Sequence, residues 1–557
     1  MLACVACVLV SAVLVVIVQV VRLFMGDPWP ISRALEWWIQ IGVGLLVLEW
    51  LLGILIIRHA SRNHAFRAVT TPPSDGHPQD PDPKKTPLWA RWYVQSIPTS
   101  GKLPISCSFI EFDERGDYLD FEQHRHAYEK VLALARQPNP LKVLLFVHGW
   151  RHTGQSQNVN AFNAFLAQLR DAEAAGPAPH RVHGIYLAWR GASLRQVVPN
   201  DEAWSTVREA YGDDLTTLTE RAPLPLLTEL LESFSYFNRK KVPEHMFSGT
   251  QLSRSVFSCA LAAKQTKPDC EVLLMGHSFG GLMLERTVQN AAIGELTQAW
   301  PWGKERPDTP ANPLPFDTIL LVNSAAPSIY AKQFQSYLAA HRQAMVDART
   351  PHADSPFVFS LTSTADWATG LTHPIANWFT FLLPSLRRLY SGADFTLERV
   401  GDYAQVEIPQ YYYYRHTPGH NPLLVNRFIE PVAGHSGTTD VKWRQIHKNL
   451  TEPKPDVLEF ETTSADRTTQ GWRIVFPPAS TSVDDAFSRY GGRRPVVWTQ
   501  EPAGSGHYRY KDTAYWILQC QKAIISSHTD IWSQAAMDTY AALHRISLAA
   551  RETVRHH

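Results

Sequence analysis

Residues 271–292, EVLLMGHSFGGLMLERTVQNAA, pass from an apolar run through a glycine-rich bend into a stretch with helical periodicity. The run 271–275 is short and rich in Val and Leu, which is typical of a buried β-strand. After Gly281, apolar residues recur three and four positions apart, which predicts an amphipathic helix. A strand, a tight bend and a helix form the repeating unit of parallel sheets, so this stretch predicts an α/β fold.

Short β-branched and Leu-rich runs alternate with longer amphipathic stretches from Leu88 onward, which is typical of a mostly parallel sheet flanked by helices. The runs predicted to be strands are 105–112, 142–147, 182–188, 271–275, 318–322, 357–361 and 514–518. Two further segments, 457–463 and 471–478, predict a β-hairpin. Ligands of open parallel sheets bind outside the carboxyl ends of the strands, so the residues that follow each run are candidates for chemistry.

The bend after the run 271–275 places Ser278 between Gly276 and Gly280, in a G-x-S-x-G pattern. A serine hydroxyl is a weak nucleophile, and a sharp strand-to-helix turn exposes it to an activating base. The two glycines leave room for the strand and the helix to approach each other. We therefore interpret Ser278 as a candidate nucleophile; the alternative is a glycine-rich bend without chemistry.

The sequence His148-Gly149-Trp150 follows the run 142–147. Attack of a serine on an acyl group creates an oxyanion, which fixed backbone N–H groups must stabilise. In a nucleophile elbow one donor is the residue after the serine and the other lies in a neighbouring loop. The N–H groups of Phe279 and Trp150 are therefore the predicted donors; the alternative is that His148 is an ordinary residue at a strand end.

Asp366 follows the run 357–361 and is the predicted acid. A carboxylate at the end of this strand is well placed to orient an imidazole and to stabilise its cation. Capping of the next helix is a common role for an Asp in this position, and it is the alternative interpretation. Asp317 lies at the amino end of its strand, away from the predicted site.

Two histidines are candidates for the general base. His528 follows the run 514–518 and precedes a stretch with helical periodicity, so strand, histidine and terminal helix occur in that order. His435 also follows an apolar stretch, but Pro431 interrupts that stretch and no helical periodicity comes after it. We favour His528 and retain His435 as the alternative base.

Two apolar runs near the N-terminus, at about 2–24 and 37–57, are each long enough to cross a hydrocarbon layer of about 30 Å. Residues 1–68 are therefore predicted to form a hairpin of two transmembrane helices. Residues 69–87 contain many prolines and no apolar periodicity, which predicts a stiff linker. The excess of arginine after the second run predicts, by the positive-inside rule, that the rest of the chain faces the cytoplasm.

The charge balance excludes one class of partner and the cysteine pattern disfavours two kinds of site. Lys and Arg together number 53 against 52 for Asp and Glu, so no global field attracts nucleic acid, and we expect no nucleic-acid partner. The six cysteines are scattered, and the pair Cys4 and Cys7 lies in the first apolar run. We therefore expect neither a disulfide framework nor a metal site.

The elbow, the histidine–glycine–tryptophan loop and the chain order serine, acid, histidine together resemble the α/β-hydrolase superfamily, over most of residues 88–557. The stretch YLAWRG, residues 186–191, is also similar to a strand-end signature of a bacterial and fungal group of serine esterases and lipase-like hydrolases. The resemblance implies a Ser278–His528–Asp366 triad, an acyl-enzyme intermediate, and no metal or organic cofactor.

The resemblance also sets expectations for the substrate and the domain. About 160 residues separate Asp366 from His528, so we expect an insertion at about 370–510. A second insertion is expected at about 193–242, between the fourth predicted strand and the helix before the elbow, where lids commonly lie. The expected substrate is a small-molecule or lipid ester, cleaved by a catalytic domain on the cytoplasmic side of a bacterial inner membrane. An acyltransferase with the same triad and a non-catalytic binding protein with a hydrolase-like domain remain as alternatives.

Overall fold

The computed structural model of the protein describes residues 94–97, 105–113, 115–150, 157–173, 180–189, 191, 240, 242–296, 314–340, 356–374, 395–400, 403–409, 413–414, 416–421, 424–432, 457–463, 469–475 and 514–555. All of them belong to one compact unit, Phe66–Gly191 together with Arg239–His557. The predicted membrane spans, the linker and nearly all of the predicted insertion 193–242 lie outside the described residues. Within the described part of the chain, no helix combines the length and the apolar character that crossing a bilayer requires.

Strands and helices alternate from Ile105 to Ser363. The strands are β1 (Val94–Ile97), β2 (Ile105–Phe112), β3 (Leu141–Val147), β4 (Arg181–Trp189), β5 (Glu271–His277), β6 (Thr318–Val322), β7 (Val358–Ser363), β8 (Phe395–Val400), β9 (Tyr403–Pro409), β10 (Arg427–Pro431), β11 (Val457–Thr463), β12 (Thr469–Val475) and β13 (Tyr515–Cys520). The longer helices are α1 (Phe121–Ala135), α2 (Gln157–Glu173), α3 (Thr250–Thr266), α4 (Phe279–Leu296), α5 (Ser328–Ala340) and α6 (Gln534–Arg555).

One sheet contains all of these strands except β8 and β9, which pair with each other. Its order is β1-β2-β4-β3-β5-β6-β7-β13-β10-β12-β11. Neighbours from β2 to β10 are parallel, whereas β1, β12 and β11 join the two edges in antiparallel orientation. The predicted α/β fold with a mostly parallel sheet is confirmed, and the carboxyl ends of its parallel strands share one edge.

The sheet agrees with the predicted strands and adds to them. Each of the seven predicted runs overlaps one strand, with ends that differ by at most two residues, and the predicted hairpin corresponds to the antiparallel pair β11 and β12. The apolar stretch before Pro431 forms β10, and Pro431 is its last residue, so the strand ends where the sequence predicted an interruption. Proline removes a donor and is tolerated at the end of a strand, so it ends β10 without preventing it.

Alternate strand residues on one face of the sheet pack against α2 and α6, as the two-residue period of a strand requires. They include Phe146, Tyr186, Met275, Phe359 and Trp516, which form one apolar cluster with Phe162, Phe165 and Tyr540 of the two helices. Burial of one such side chain stabilises the fold by about 1.5–3 kcal/mol. α1, α3 and α4 also contact the sheet but contribute no residue to this cluster, so they cover the other face.

Candidate active site

Ser278 lies between the end of β5 and the start of α4, in the left-handed conformation with φ 54°. This conformation is uncommon for a residue with a side chain. The backbone holds it from both sides: the Ser278 N–H donates to Val322 O at 3.0 Å, and the Ser278 carbonyl accepts from Ala325 N at 3.0 Å and Leu282 N at 3.2 Å. The strained turn of the predicted elbow is therefore present at the predicted residue.

The glycines of the elbow make its close approach possible. A Cβ atom on Gly280 would lie 2.1 Å from the carbonyl oxygen of Val147, the last residue of β3. A Cβ atom on Gly276 would lie 2.7 Å from the carbonyl oxygen of Gly280. Neither backbone contact can be relieved by a side-chain movement, so only glycine lets α4 begin this close to the sheet.

Ser278, His528 and Asp366 come together at the carboxyl edge of the sheet. Ser278 Oγ lies 2.9 Å from His528 Nε2, and His528 Nδ1 lies 2.9 Å from Asp366 Oδ1. An ionised carboxylate only accepts hydrogen bonds, so Nδ1 carries the proton and Nε2 is free to accept the serine proton. Asp366 follows β7 and His528 lies between β13 and α6, as the sequence predicted. The alternative base, His435, lies outside the described residues.

The carboxylate of Asp366 is buried and held by two donors besides His528. The Thr369 N–H donates to Asp366 Oδ1 at 3.1 Å, and the Thr369 hydroxyl donates to Oδ2. Burial alone would raise the pKa of Asp366, but the charge and hydrogen bond of His528 and the hydrogen bond of Thr369 lower it to about 2. The capping contact expected of an Asp at this position is thus made together with the imidazole contact.

The loop His148-Gly149-Trp150 lies against the elbow. A Cβ atom on Gly149 would lie 2.7 Å from Cβ of Ser278. His148 anchors this loop to the end of β4, because its Nε2 accepts from Trp189 N at 3.1 Å and its carbonyl accepts from Trp189 Nε1 at 2.8 Å. This loop is thus fixed beside the positive end of α4, where negative charge is stabilised.

Phe279 is the first residue of α4, and its ring is buried against Trp189 at 6.3 Å between centroids. Phe279 and the loop His148-Gly149-Trp150 therefore both adjoin Ser278. The assignment of their N–H groups as oxyanion donors stays a prediction.

The exposed fraction of the side chain decreases from His528 through Ser278 to Asp366. The His528 side chain is 14% exposed, Ser278 is 4% exposed, and the Asp366 side chain is fully buried. The imidazole is therefore the most accessible of the three groups and the carboxylate the least. Because water does not reach the carboxylate, its attraction for the imidazole is not screened by solvent.

Sequence reasoning missed several residues that surround the three side chains. Thr369 gave no signal beyond its place after Asp366, and Asn323 had none beyond its place after β6. His420 ends the short turn Pro418–His420 and packs against Gly370. Burial lowers the pKa of His420.

Comparisons of the chain with models of protein families, with curated proteins and with solved structures found no match. Among the described residues, no group of three or more His, Cys, Asp or Glu side chains has a geometry that would hold a metal ion. The side chains that the structure brings together at the carboxyl edge are the hydroxyl of Ser278, the imidazole of His528 and the carboxylate of Asp366. Together these groups can activate a serine for attack on an electrophilic carbon.

Proposed function

We propose that the protein is a serine hydrolase with an α/β-hydrolase fold, and that it cleaves carboxylic esters. One observation carries the proposal: Ser278, His528 and Asp366 form a hydrogen-bonded series, with 2.9 Å at each of its two links, and the serine occupies a strained strand-to-helix turn. The chain order serine, acid, histidine is that of α/β-hydrolases. The extra strands β10, β11 and β12, which come from the long segment between acid and histidine, are compatible with that fold.

The mechanism needs each group in one role. Ser278 Oγ attacks the acyl carbon while its proton passes to His528 Nε2, and Asp366 stabilises the imidazolium that forms. The N–H groups of Phe279 and Trp150 donate to the oxyanion of the tetrahedral intermediate. His528 then donates the proton to the leaving alcohol, which leaves an acyl-enzyme. Water attacks this ester with His528 again as the base, and the acid is released with Ser278 restored.

The substrate proposal rests on the two apolar runs of the sequence. If residues 2–24 and 37–57 tether the chain to a bilayer, the local concentration of lipid esters at the site is raised. The full chain in phospholipid vesicles should then cleave a lipid ester held in the same vesicles faster than a short soluble ester. Retained activity on soluble esters with none on vesicle lipids would contradict a lipid substrate and leave the esterase proposal standing.

A fluorophosphonate probe tests the catalytic proposal, because it reacts covalently with an activated serine. We expect the folded wild type to be labelled and Ser278→Ala to be unlabelled. Ser436→Ala is the matched control, since Ser436 lies in GHSGT, a near repeat of the elbow pattern. Absence of labelling in folded wild type would favour the non-catalytic binding protein. Partition of the acyl group to an added alcohol in preference to water would favour the acyltransferase.

Paired histidine variants test the base. His528→Gln should lose labelling and His435→Gln should keep it, because His528 is the imidazole within 2.9 Å of Ser278 Oγ. The reverse pattern would move the base to His435 and overturn the assignment of His528.

A further inference from the structure

Asn323 has the same unusual backbone as the elbow serine. Ser278 and Asn323 are the non-glycine residues with positive φ among those described, with φ 54° and 45°. Asn323 follows β6 directly, is fully buried, and donates its N–H to Leu361 O at 2.8 Å. Asparagine tolerates the left-handed conformation better than most residues. The conformation turns its side chain across the carboxyl edge toward the segment that carries His528.

The carboxamide of Asn323 uses both of its ends. Its Oδ1 accepts from the backbone N–H of Ser363, the last residue of β7, at 3.0 Å. Its Nδ2 donates to the carbonyl oxygen of His528 at 3.2 Å and lies 3.5 Å from that of Ser527. An N–H can only donate and a carbonyl can only accept, so these partners fix the orientation of the amide. Asn323 therefore connects β6, β7 and the His528 loop.

A second donor meets the same carbonyl. His277, the last residue of β5, donates from Nε2 to His528 O at 2.8 Å, and the two imidazole rings lie 5.0 Å apart. The hydroxyl of Ser363 also donates to Ile525 O, at 2.6 Å. The backbone of this loop is thus held by side chains from the ends of three neighbouring strands. Ser526 and Thr529, which lie on either side of Ser527 and His528 in this loop, are exposed.

We propose that Asn323, together with His277, is a positioning residue: its side chain fixes the peptide of His528 so that both ring nitrogens reach their partners. The inference rests on the proposed function and goes beyond the triad itself. The imidazole has little freedom of its own to correct a displaced backbone, because Nε2 and Nδ1 must meet Ser278 and Asp366 at once. A displacement of about 1 Å from such a geometry can slow a reaction on the order of 10²-fold.

Asn323→Asp replaces the amide donor by a carboxylate oxygen and adds a negative charge beside the His528 loop. Aspartate has the same shape, tolerates the same backbone and can still accept the Ser363 N–H, but it turns an oxygen toward the carbonyl of His528. The hydrogen bond between residue 323 and the carbonyl of His528 is thus replaced by a repulsion between two oxygens, while the volume of the side chain stays the same. We expect the His528 loop to be displaced while the sheet stays intact.

Asn426→Asp is the matched control. Asn426 Oδ1 accepts from Ile517 N at 2.9 Å, its Nδ2 donates to Tyr515 O at 3.3 Å, and its own N–H donates to Ile517 O at 3.0 Å. Its amide therefore bridges an N–H and a carbonyl as that of Asn323 does, although it is only partly buried. These contacts lie at the amino end of β13, whereas His528 follows its carboxyl end. Asn426→Asp therefore makes the same replacement of an amide by a carboxylate at a distance from His528.

The experiment measures the rate and the final stoichiometry of fluorophosphonate labelling on the full chain, with kcat and KM for a short soluble ester. We expect Asn323→Asp to label to the wild-type stoichiometry per folded molecule, but about 10- to 100-fold more slowly. The value of kcat should fall by the same factor with KM unchanged, and Asn426→Asp should match the wild type. His277→Gln, whose amide can still donate, should retain more activity than His277→Ala.

Three results would overturn the inference. The first is labelling of Asn323→Asp at the wild-type rate. The second is a lower final stoichiometry of labelling in Asn323→Asp while the remaining reactive molecules keep the wild-type rate. The third is an equal decrease of the labelling rate in the Asn426→Asp control. If Asn323→Asp does not fold, Asn323→Gly keeps the left-handed backbone and removes the donor; it should label about 10-fold more slowly, and a wild-type rate overturns the inference. Unlabelled wild type would instead refute the proposed function, so the two failures are distinguishable.

Discussion

The sheet carries a hydroxyl, an imidazole and a carboxyl group in hydrogen-bonded series at each of its two ends. At the carboxyl edge the series is Ser278, His528 and Asp366. At the amino edge, Thr318 Oγ1 lies 2.8 Å from His544 Nδ1, and His544 Nε2 lies 2.9 Å from Glu271 Oε2. The two series use the same functional groups at the same separations, yet their surroundings differ in each feature that catalysis needs.

Thr318 is fully buried inside β6, whereas Ser278 lies on a strained turn at the start of a helix. Lys142 lies 2.9 Å from Glu271, so the amino-edge carboxylate is already paired with a fixed charge. Burial would raise the pKa of Glu271, but the charge of Lys142 and hydrogen bonds from two histidines hold it well below its usual range. Contact among three groups is therefore sufficient for a structural cross-link, and the proposed site differs from that cross-link in its strained elbow, its adjacent loop and its partly exposed imidazole.

The largest contrast is expected between the two hydroxyls. Ser278→Ala should lower kcat on the order of 10⁶-fold, because the nucleophile is lost. Thr318→Val keeps the shape and removes only the hydroxyl from His544. It should leave kcat per folded molecule unchanged and lower the free energy of unfolding by about 1–3 kcal/mol, measured by chemical denaturation. Equal loss of activity in both variants would mean that the elbow confers no special reactivity on Ser278.

The next contrast lies between the two carboxyl groups. Asp366→Asn should lower kcat by about 10⁴-fold, because an amide no longer fixes the tautomer of His528 or stabilises its cation. Glu271→Gln should leave kcat per folded molecule unchanged but destabilise the fold by about 3–5 kcal/mol, because Lys142, which is 1% exposed, loses its counter-charge. Initial rates corrected for the folded fraction measure the first effect, and urea unfolding measures the second. A fold that tolerates Glu271→Gln without loss would refute the structural role of the amino-edge series.

Much of this architecture could be predicted from the sequence because the signals are local. Apolar runs bounded by glycine or polar residues predicted seven strands to within two residues at each end, and the residue types after those strands predicted Ser278, Asp366 and His528. These side chains converge because the ends of parallel strands share one edge, which follows from the fold class alone.

Other features depend on contacts that no local pattern reports. β1 has the sequence VQSI, which has too few apolar residues to be recognised, and it joins the sheet only by pairing with β2. The place of β10 beside β13 is likewise set by long-range pairing. The contacts of Asn323 and of His544 connect residues more than two hundred positions apart. An Asn after a strand and a His in a terminal helix have many possible partners, and only the structure selects among them.

Glu285 of α4 is a buried carboxyl that has a hydroxyl partner but no imidazole partner among the described residues, so it extends the comparison. Tyr515 donates to Glu285 Oε1 at 2.7 Å, and burial raises the pKa of Glu285 to about 7 although Tyr515 and Arg286 oppose the rise. In the unfolded chain the carboxyl of Glu285 ionises near pH 4.5, so between pH 4.5 and 7 the folded state keeps a proton on Glu285 that the unfolded state has lost. The contribution of Glu285 to the free energy of unfolding is therefore complete below pH 4.5 and decreases as the pH rises to about 7.

Glu285→Gln should abolish this dependence, which amounts to about 3 kcal/mol across that range. Chemical denaturation of both proteins at several pH values between 4.5 and 8 measures it. The wild type should lose stability relative to the variant as pH rises. Parallel curves for the two proteins would show that Glu285 is already ionised in the folded state.

The smallest effect comes from repeating one substitution at both edges. Thr369→Val removes the hydroxyl that donates to Asp366 Oδ2 and keeps the shape of the side chain, as Thr318→Val does at the other edge. A hydrogen bond to a charged group contributes about 1.5–3 kcal/mol, but the Thr369 N–H still holds the other carboxylate oxygen, so we expect kcat to fall by about 10-fold with KM unchanged. Steady-state kinetics and unfolding on both valine variants measure the outcome. Thr369→Val should change mainly the rate and Thr318→Val only the stability; if both variants lost only stability, the carboxylate of Asp366 would be one more structural cross-link.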